Sequence, residues 1–181
     1  MLNYKILPDF IYNFAIMPQS TYDALSHIKQ HSWVILPTAD HMTSEGIEFF
    51  KSKGIIFSRN VTCWKCNTNT IGLTHIDGIA SMGFNFVMKG KGSMEWMHSS
   101  VPPIMDDAKL STGQTIRSPM FPNLDALTVT DTWDSKEGEC ALVRVHTPHR
   151  IVTTTEDRYS LSFRLHLDHC SETFDQLVDR F

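Results

Sequence analysis

The sequence holds no uninterrupted apolar run approaching the roughly 20 residues that a bilayer-spanning helix needs. Its opening, MLNYKILPDFIYNFAIMPQS, is apolar in places, but Asp9, Asn13 and two prolines break it and no small-residue cleavage pattern follows. A signal peptide is not indicated, and a soluble, cytoplasmic protein without a membrane partner is expected. A surplus of positive charge is missing too. Sixteen Lys and Arg against twenty Asp and Glu leave a formal net charge of -4, with no long run of either sign. That balance gives no broad electrostatic hold on nucleic acid or anionic lipid and leaves room only for a local basic groove.

Cysteine is scarce, with four residues at positions 63, 66, 140 and 170. The stretch CWKC has the C-x-x-C spacing of zinc and thiol-redox sites. No companion C-x-x-C or histidine pair accompanies it, and residues three apart on a strand point to opposite faces. Ordinary reduced thiols are the expectation. A zinc or thiol-redox protein is the reading left open, marked by thiolate-bound zinc or a reversible Cys63–Cys66 disulfide.

What is present is ordinary for a globule: 41% hydrophobic and 20% charged residues in a chain of 181. That length fits one domain, residues 1–181, able to bury a core without covalent staples. Residues 1–54 read as a mixed flank. QSTYDALSHIKQ suits a helix with Ser20 as N-cap and Leu25 and Ile28 on one face. WVILP, Trp33 to Pro37, reads as a short buried strand. TSEGIEFFKSKG suits a second helix capped by Thr43 or Ser44, with Ile47 and Phe50 three apart and Gly54 at its end.

From Ile55 the pattern changes to short β-branched and aromatic runs divided by Gly, Pro, Asn and Asp: IIFSRNVTCW, TIGLTH, MGFNFVMKG, SMEWM, DALTVTD, CALVRVH and RYSLSFRLHL. Seven or more such strands over residues 55–168 predict a mainly β sandwich or barrel with flanking helices. A final helix, SETFDQLVDRF within 170–181, packs outside. Ser99 to Asn123, with four of the eight prolines, is the most loop-like stretch, and a lid and a plain surface excursion are equally consistent with it.

The chemistry concentrates in LTHIDG. Residues two apart in an extended segment point the same way, so His75 and Asp77 direct an imidazole and a carboxylate at one point. Two ligands make a weak site, and a third has to come from a strand distant in sequence. His146 and His149, in LVRVHTPHRIVT, are the candidates. Two histidines and one carboxylate form a facial triad that leaves positions open on an octahedral ion and suits Fe(II).

HIDG, then NFVMKGKGSMEW, ALVRVHTPHRIV and DRYSLSFRL, resemble the ordered motifs of the Fe(II)/2-oxoglutarate-dependent dioxygenases: H-x-D, a distal His and an Arg-x-Ser. The likeness runs from about Cys63 to Leu167. It implies a double-stranded β-helix core of the jelly-roll or cupin-like kind, with iron held by His75, Asp77 and His149. His149 is preferred over His146 because the similar segments enter the ligand through a Pro-His step. The resemblance also implies that Arg158, helped by the Ser160 hydroxyl, anchors the far carboxylate of 2-oxoglutarate. On a strand these two share a face, and a planar guanidinium matches a carboxylate bidentately. Asn85 points away from the Phe84 and Phe86 face, toward the cosubstrate or substrate or into a structural hydrogen bond.

Trp64 and Trp96 are cleft or core residues. Arg144 and Arg150 are substrate-anion candidates or solvated cations. The implied reaction consumes 2-oxoglutarate and O2, releases succinate and CO2, and hydroxylates a C–H bond of a small-molecule or peptide substrate, with a lean toward an amino-acid or protein side chain. The alternative is a non-catalytic cupin-like module that binds a metal or ligand.

Overall fold

The computed structural model describes residues 2–27, 32–77, 82–109, 115–169 and 171–181. A short strand, β1 (Tyr4–Ile6), leads into a 3-10 turn that buries Ile11 and Phe14. Helix α1 (Gln19–Ser26) buries Leu25 and starts earlier than the Ser20 cap expected from sequence. The Pro18 carbonyl already accepts from the Thr21 and Tyr22 amides at 2.9 and 3.3 Å. Ile28 lies outside the described residues. Strand β2 (Ser32–Pro37) is half-buried rather than buried, because it forms the edge of its sheet. In α2 (Ser44–Ser52) the Thr43 hydroxyl accepts from the Gly46 amide at 3.0 Å, satisfying one of the orphan donors of the first turn. Phe50 is fully buried, Ile47 is exposed, and Gly54 leaves the helix at φ +71°, the left-handed conformation that favours glycine.

The strands that follow are β3 (Phe57–Cys66), β4 (Thr70–Ile71), β5 (Met82–Lys89), β6 (Lys91–Ser99), β7 (Ile104–Lys109), β8 (Thr115–Met120), β9 (Leu127–Lys136), β10 (Cys140–Arg144), β11 (His149–Thr153) and β12 (Arg158–Leu165). A five-residue helix, α3 (Phe174–Val178), closes the chain. Its capping box joins Thr173 and Gln176, and its Phe174 and Leu177 are buried in the core.

The larger sheet has the order β1-β10-β5-β12-β3-β2 and the smaller β4-β11-β6-β9, with every pairing antiparallel. From β3 on, the chain alternates between them except at β6 and β9, which are neighbours in the smaller sheet. β3, β5, β10 and β12 belong to the larger sheet, and β4, β6, β9 and β11 to the smaller. This is the winding of a double-stranded β-helix, a jelly-roll of eight strands. β7 and β8 interrupt it as a two-stranded hairpin between β6 and β9. They occupy the stretch that read as loop, where Pro119 sits inside β8.

Apolar packing falls on both faces of the larger sheet. Outside, Leu25, Phe50, Phe84, Phe86, Phe163, Phe174 and Leu177 join the helices to the sheet. Inside, Val87, Met94, Trp96, Trp133, Ala141 and Val143 fill the space between the sheets. No helix of the described residues is long and apolar enough to cross a membrane.

Candidate metal centre

His75 lies beyond the end of β4, held on both sides by backbone pairing. It bridges antiparallel to His149 and to Met120. With His149 it exchanges both amide-to-carbonyl hydrogen bonds, each 3.0 Å. The Ile76 amide donates to the Pro119 carbonyl at 3.0 Å and the Asp77 amide to the Val145 carbonyl at 2.9 Å. This extended backbone puts the side chains of residues 75 and 77 on one side.

The three side chains converge. Asp77 Oδ1 lies 3.2 Å from His75 Nε2 and 3.9 Å from His149 Nε2, and the ligand atoms of all three fall within 4.8 Å of one another. His75 Nδ1 sits 2.9 Å from the Leu73 carbonyl, and His149 Nδ1 2.9 Å from the Thr147 carbonyl. A carbonyl only accepts, so each ring carries its proton on Nδ1 and presents the Nε2 lone pair to the shared point. Two imidazole nitrogens and a carboxylate oxygen, on a turn and the start of a strand, are the donor set of a facial metal site.

The second carboxylate oxygen of Asp77 is taken by Arg164, whose Nη2 donates to Oδ2. Burial opposes ionisation of Asp77, but Arg164 and the two histidines outweigh it and hold the carboxyl well below the usual range. Burial, reinforced by His75, pushes His149 down to about 4, so it is neutral and ligand-ready at neutral pH. For His75 burial acts downward, and the hydrogen bond and charge of Asp77 prevail and raise it.

Arg164 escaped the reading of the sequence, although period-two spacing in RYSLSFR puts it on the face of Arg158. Its place is prepared by Gly83 on β5. A Cβ there would lie 2.7 Å from Arg164 Nη1 and 3.0 Å from the Phe163 carbonyl. His146, the other candidate ligand, is exposed after β10 and is not among the three converging residues.

The inward face of β12 carries Arg158, Ser160, Ser162 and Arg164 in alternation. Arg158 is 1% exposed. Its Nε donates to Ser135 Oγ at 3.2 Å, on the opposite sheet, and its Nη1 to Ser160 Oγ at 3.1 Å. Among the described residues no carboxylate pairs with it, and its buried Nη2 has no partner. Burial pulls its pKa down, and only the neighbouring Cys66 thiol works the other way. Gly92 makes room for this side chain, since a Cβ there would sit 3.1 Å from Arg158 Cδ. Asn85 is nearly buried on the same inward face. It accepts from Ser162 Oγ at 2.6 Å and turns its amide toward the Met94 sulfur at 3.7 Å.

The remaining sequence candidates divide. Trp96 is a core residue, fully buried, whose indole donates to the Arg144 carbonyl at 2.7 Å. Trp64 is half-buried, in register with Ser160 and stacked on Trp33 at 5.4 Å, so it flanks the inward polar face. Arg144 is tied down rather than solvated. It donates to the Leu2 carbonyl at 2.8 Å and covers the Phe174 ring at 4.5 Å. Arg150 pairs with Glu95 at 2.8 Å. Cys63 packs in the outer core, whereas Cys66 lies opposite Arg158, as the C-x-x-C spacing on a strand requires. Cys63, Cys66 and Cys140 are buried and form no disulfide. Cys170 lies outside the described residues.

No family profile matches the chain, and no curated protein matches it. Among solved structures it is similar to an oxidoreductase of the 2OG-Fe(II) oxygenase family from Burkholderia pseudomallei, at 10% identity and a TM-score of 0.47, over 91% of this chain and 84% of that one. It is similar to E. coli ycfD at 14% identity and a TM-score of 0.47, over 98% of this chain and 52% of the other. Vicilin from Corylus avellana (hazelnut) gives 10% identity and a TM-score of 0.44, over 80% of this chain, which spans 32% of the vicilin. The jelly-roll assignment rests on the strand order and register of this chain itself.

Proposed function

We propose that this protein is an Fe(II)- and 2-oxoglutarate-dependent oxygenase that hydroxylates a C–H bond of a small-molecule or peptide substrate. In balance, the substrate C–H, 2-oxoglutarate and O2 give the alcohol, succinate and CO2. The observation that carries this reading is Arg158, a cation with no counter-ion among the described residues and a buried, unpartnered Nη2. Such a group costs several kcal/mol unless an anion completes it. A bidentate carboxylate answers that need, and the converging His75, Asp77 and His149 supply the metal-binding half.

The residues divide the work. His75, Asp77 and His149 would hold Fe(II), which with 2-oxoglutarate and O2 supplies the oxidising chemistry. Arg164 neutralises the outer oxygen of Asp77 and fixes which oxygen faces the ion. The carbonyls of Leu73 and Thr147 keep both rings in the ligating tautomer. Arg158, with Ser160 and Ser135 holding two of its nitrogens, would receive the far carboxylate of the cosubstrate and orient it. Val87, Met94 and Trp96 keep water from the inner space.

Anaerobic addition of Fe(II) and 2-oxoglutarate tests the proposal through the weak visible charge-transfer band of their chelate. A band in the wild type that is lost in Arg158→Ala, with turnover and stoichiometric iron lost in His75→Ala and Asp77→Ala, is the expected result. Bound metal without a band, or without succinate formation, would instead identify a non-catalytic cupin-like metal-binding module.

A further inference from the structure

The register of the smaller sheet continues through the metal centre into the hairpin. His149 is opposite His75, His75 is opposite Met120, and Met120 is opposite Ile104. Directly opposed residues of antiparallel strands put their side chains on one face. The row Ile104, Met120, His75, His149 therefore runs along the metal-facing side. The bonds from Ile76 to Pro119 and from Phe121 to Thr74 flank the His75–Met120 pair. That makes it the close, non-hydrogen-bonded kind, with the methionine side chain beside the ligand.

Period two then places Asp106 and Ser118, themselves opposite one another, next along this face, and turns Met105 and Asp107 away from it. Ile104 is 54% exposed, Asp106 is exposed, and Met120 and Ser118 are half-buried. One Asp106 oxygen accepts from the Asp107 amide at 2.8 Å, and among the described residues no cation pairs with the carboxylate. The wall thus offers apolar contact in the row of His75 and a negative charge in the row of Asp77, which the same antiparallel register continues through Ser118 to Asp106. From Asp77 to Asp106 that row crosses two strand spacings, about 10 Å, a span that an aliphatic stem with a terminal nitrogen bridges from the metal.

We propose, resting on the oxygenase reading above, that Ile104 and Asp106 on the metal-facing side of the β7–β8 hairpin select the substrate, and that the substrate is an aliphatic side chain ending in an amine or guanidine. Ile104 and Met120 pack its stem, and Asp106 takes its cationic end. Both the apolar row and the uncompensated carboxylate disfavour an acidic side chain at the same position.

The test measures succinate formation and the chelate band with four probes: the Nα-acetyl amides of lysine, arginine, norleucine and glutamate. The expected result is that the lysine or arginine probe stimulates turnover and the other two do so poorly. Asp106→Asn should raise KM for the cationic probe about fivefold, the upper range for a solvent-screened ion pair, with kcat nearly unchanged. Asp106→Lys should abolish stimulation, and the chelate band should persist in both variants. Equal stimulation by norleucine or glutamate probes, an unchanged KM in Asp106→Asn, or no stimulation by the cationic probes while the band is present would overturn the proposal. No band in the wild type would overturn the oxygenase reading itself, a distinct outcome.

Discussion

On one side of β12, Tyr159 meets Tyr22, and Phe163 meets Phe57 and Phe86, with ring centroids between 5.1 and 5.4 Å. On the other side Arg158, Ser160, Ser162 and Arg164 line the interior, two of them with an Nη atom that is buried and unpartnered. One strand thus carries two programmes separated only by the parity of residue number. The outer face gains stability by removing apolar area from water, whereas on the inner face each arginine keeps one buried nitrogen without a partner, which costs stability until something satisfies it.

The sharpest way to break this division is a cavity in the outer face. Phe163→Ala should cost about 3–5 kcal/mol in denaturant unfolding, while the protein that remains folded binds Fe(II) and 2-oxoglutarate as before. The inner face should respond in the opposite sense. Arg158→Met removes a buried, unpaired cation, so the ligand-free fold should be as stable as the wild type or more so. Its 2-oxoglutarate affinity, read by titrating the chelate band, should fall by roughly a hundredfold, the scale of two charge-assisted hydrogen bonds. Loss of stability and binding together in this variant would show that the two faces are not separable.

Arg164→Gln removes the partner of a metal ligand without touching the ligand. Fe(II) affinity should drop about 10–100-fold, as for other groups that orient ligands, with little change in unfolding. Gly83→Ala should do part of the same by crowding Arg164, and the Fe(II) affinity should show a smaller loss than in Arg164→Gln.

The smallest effect is expected at the thiols. Burial pushes Cys63 up to about 12 and Cys66 up to about 11. A thiol reacts as its thiolate, which forms only as pH rises toward the pKa. At pH 8 neither should be alkylated in the native protein, as peptide mass mapping would show. Rapid labelling of either would return weight to the thiol-redox reading of CWKC.

These contrasts show why the sequence was legible in some places and silent in others. The strands of the core announced themselves, because β-branched and aromatic residues alternate in MGFNFVMKG and RYSLSFRLHL and the turns between them carry glycine. The hairpin did not. Its strands hold Asp106, Asp107 and Pro119, whose preferences are for loops, and pairing with each other and with the backbone of His75 and Ile76 overrides them. Strand β2 read as buried because local apolar content does not say whether a strand has one neighbour or two. At the site, H-x-D and R-x-S were visible because period-two spacing fixes a shared face. Which distant histidine joins them is a matter of register between β11 and the HID turn. Arg164 stayed hidden since nothing in its neighbourhood separates a partner for Asp77 from an ordinary strand cation, and the space that receives it belongs to Gly83, 81 residues before it by number.

The paired backbone bonds between His75 and His149 carry a further consequence for hydrogen exchange. Each ligand's amide proton is locked in the carbonyl of the other, so the two amides should exchange with deuterium together, through one shared opening, in the metal-free protein. The ion then meets a scaffold whose main chain is already closed. Its binding should slow that exchange and raise the melting temperature without creating new secondary structure, unlike small domains that fold only around their metal.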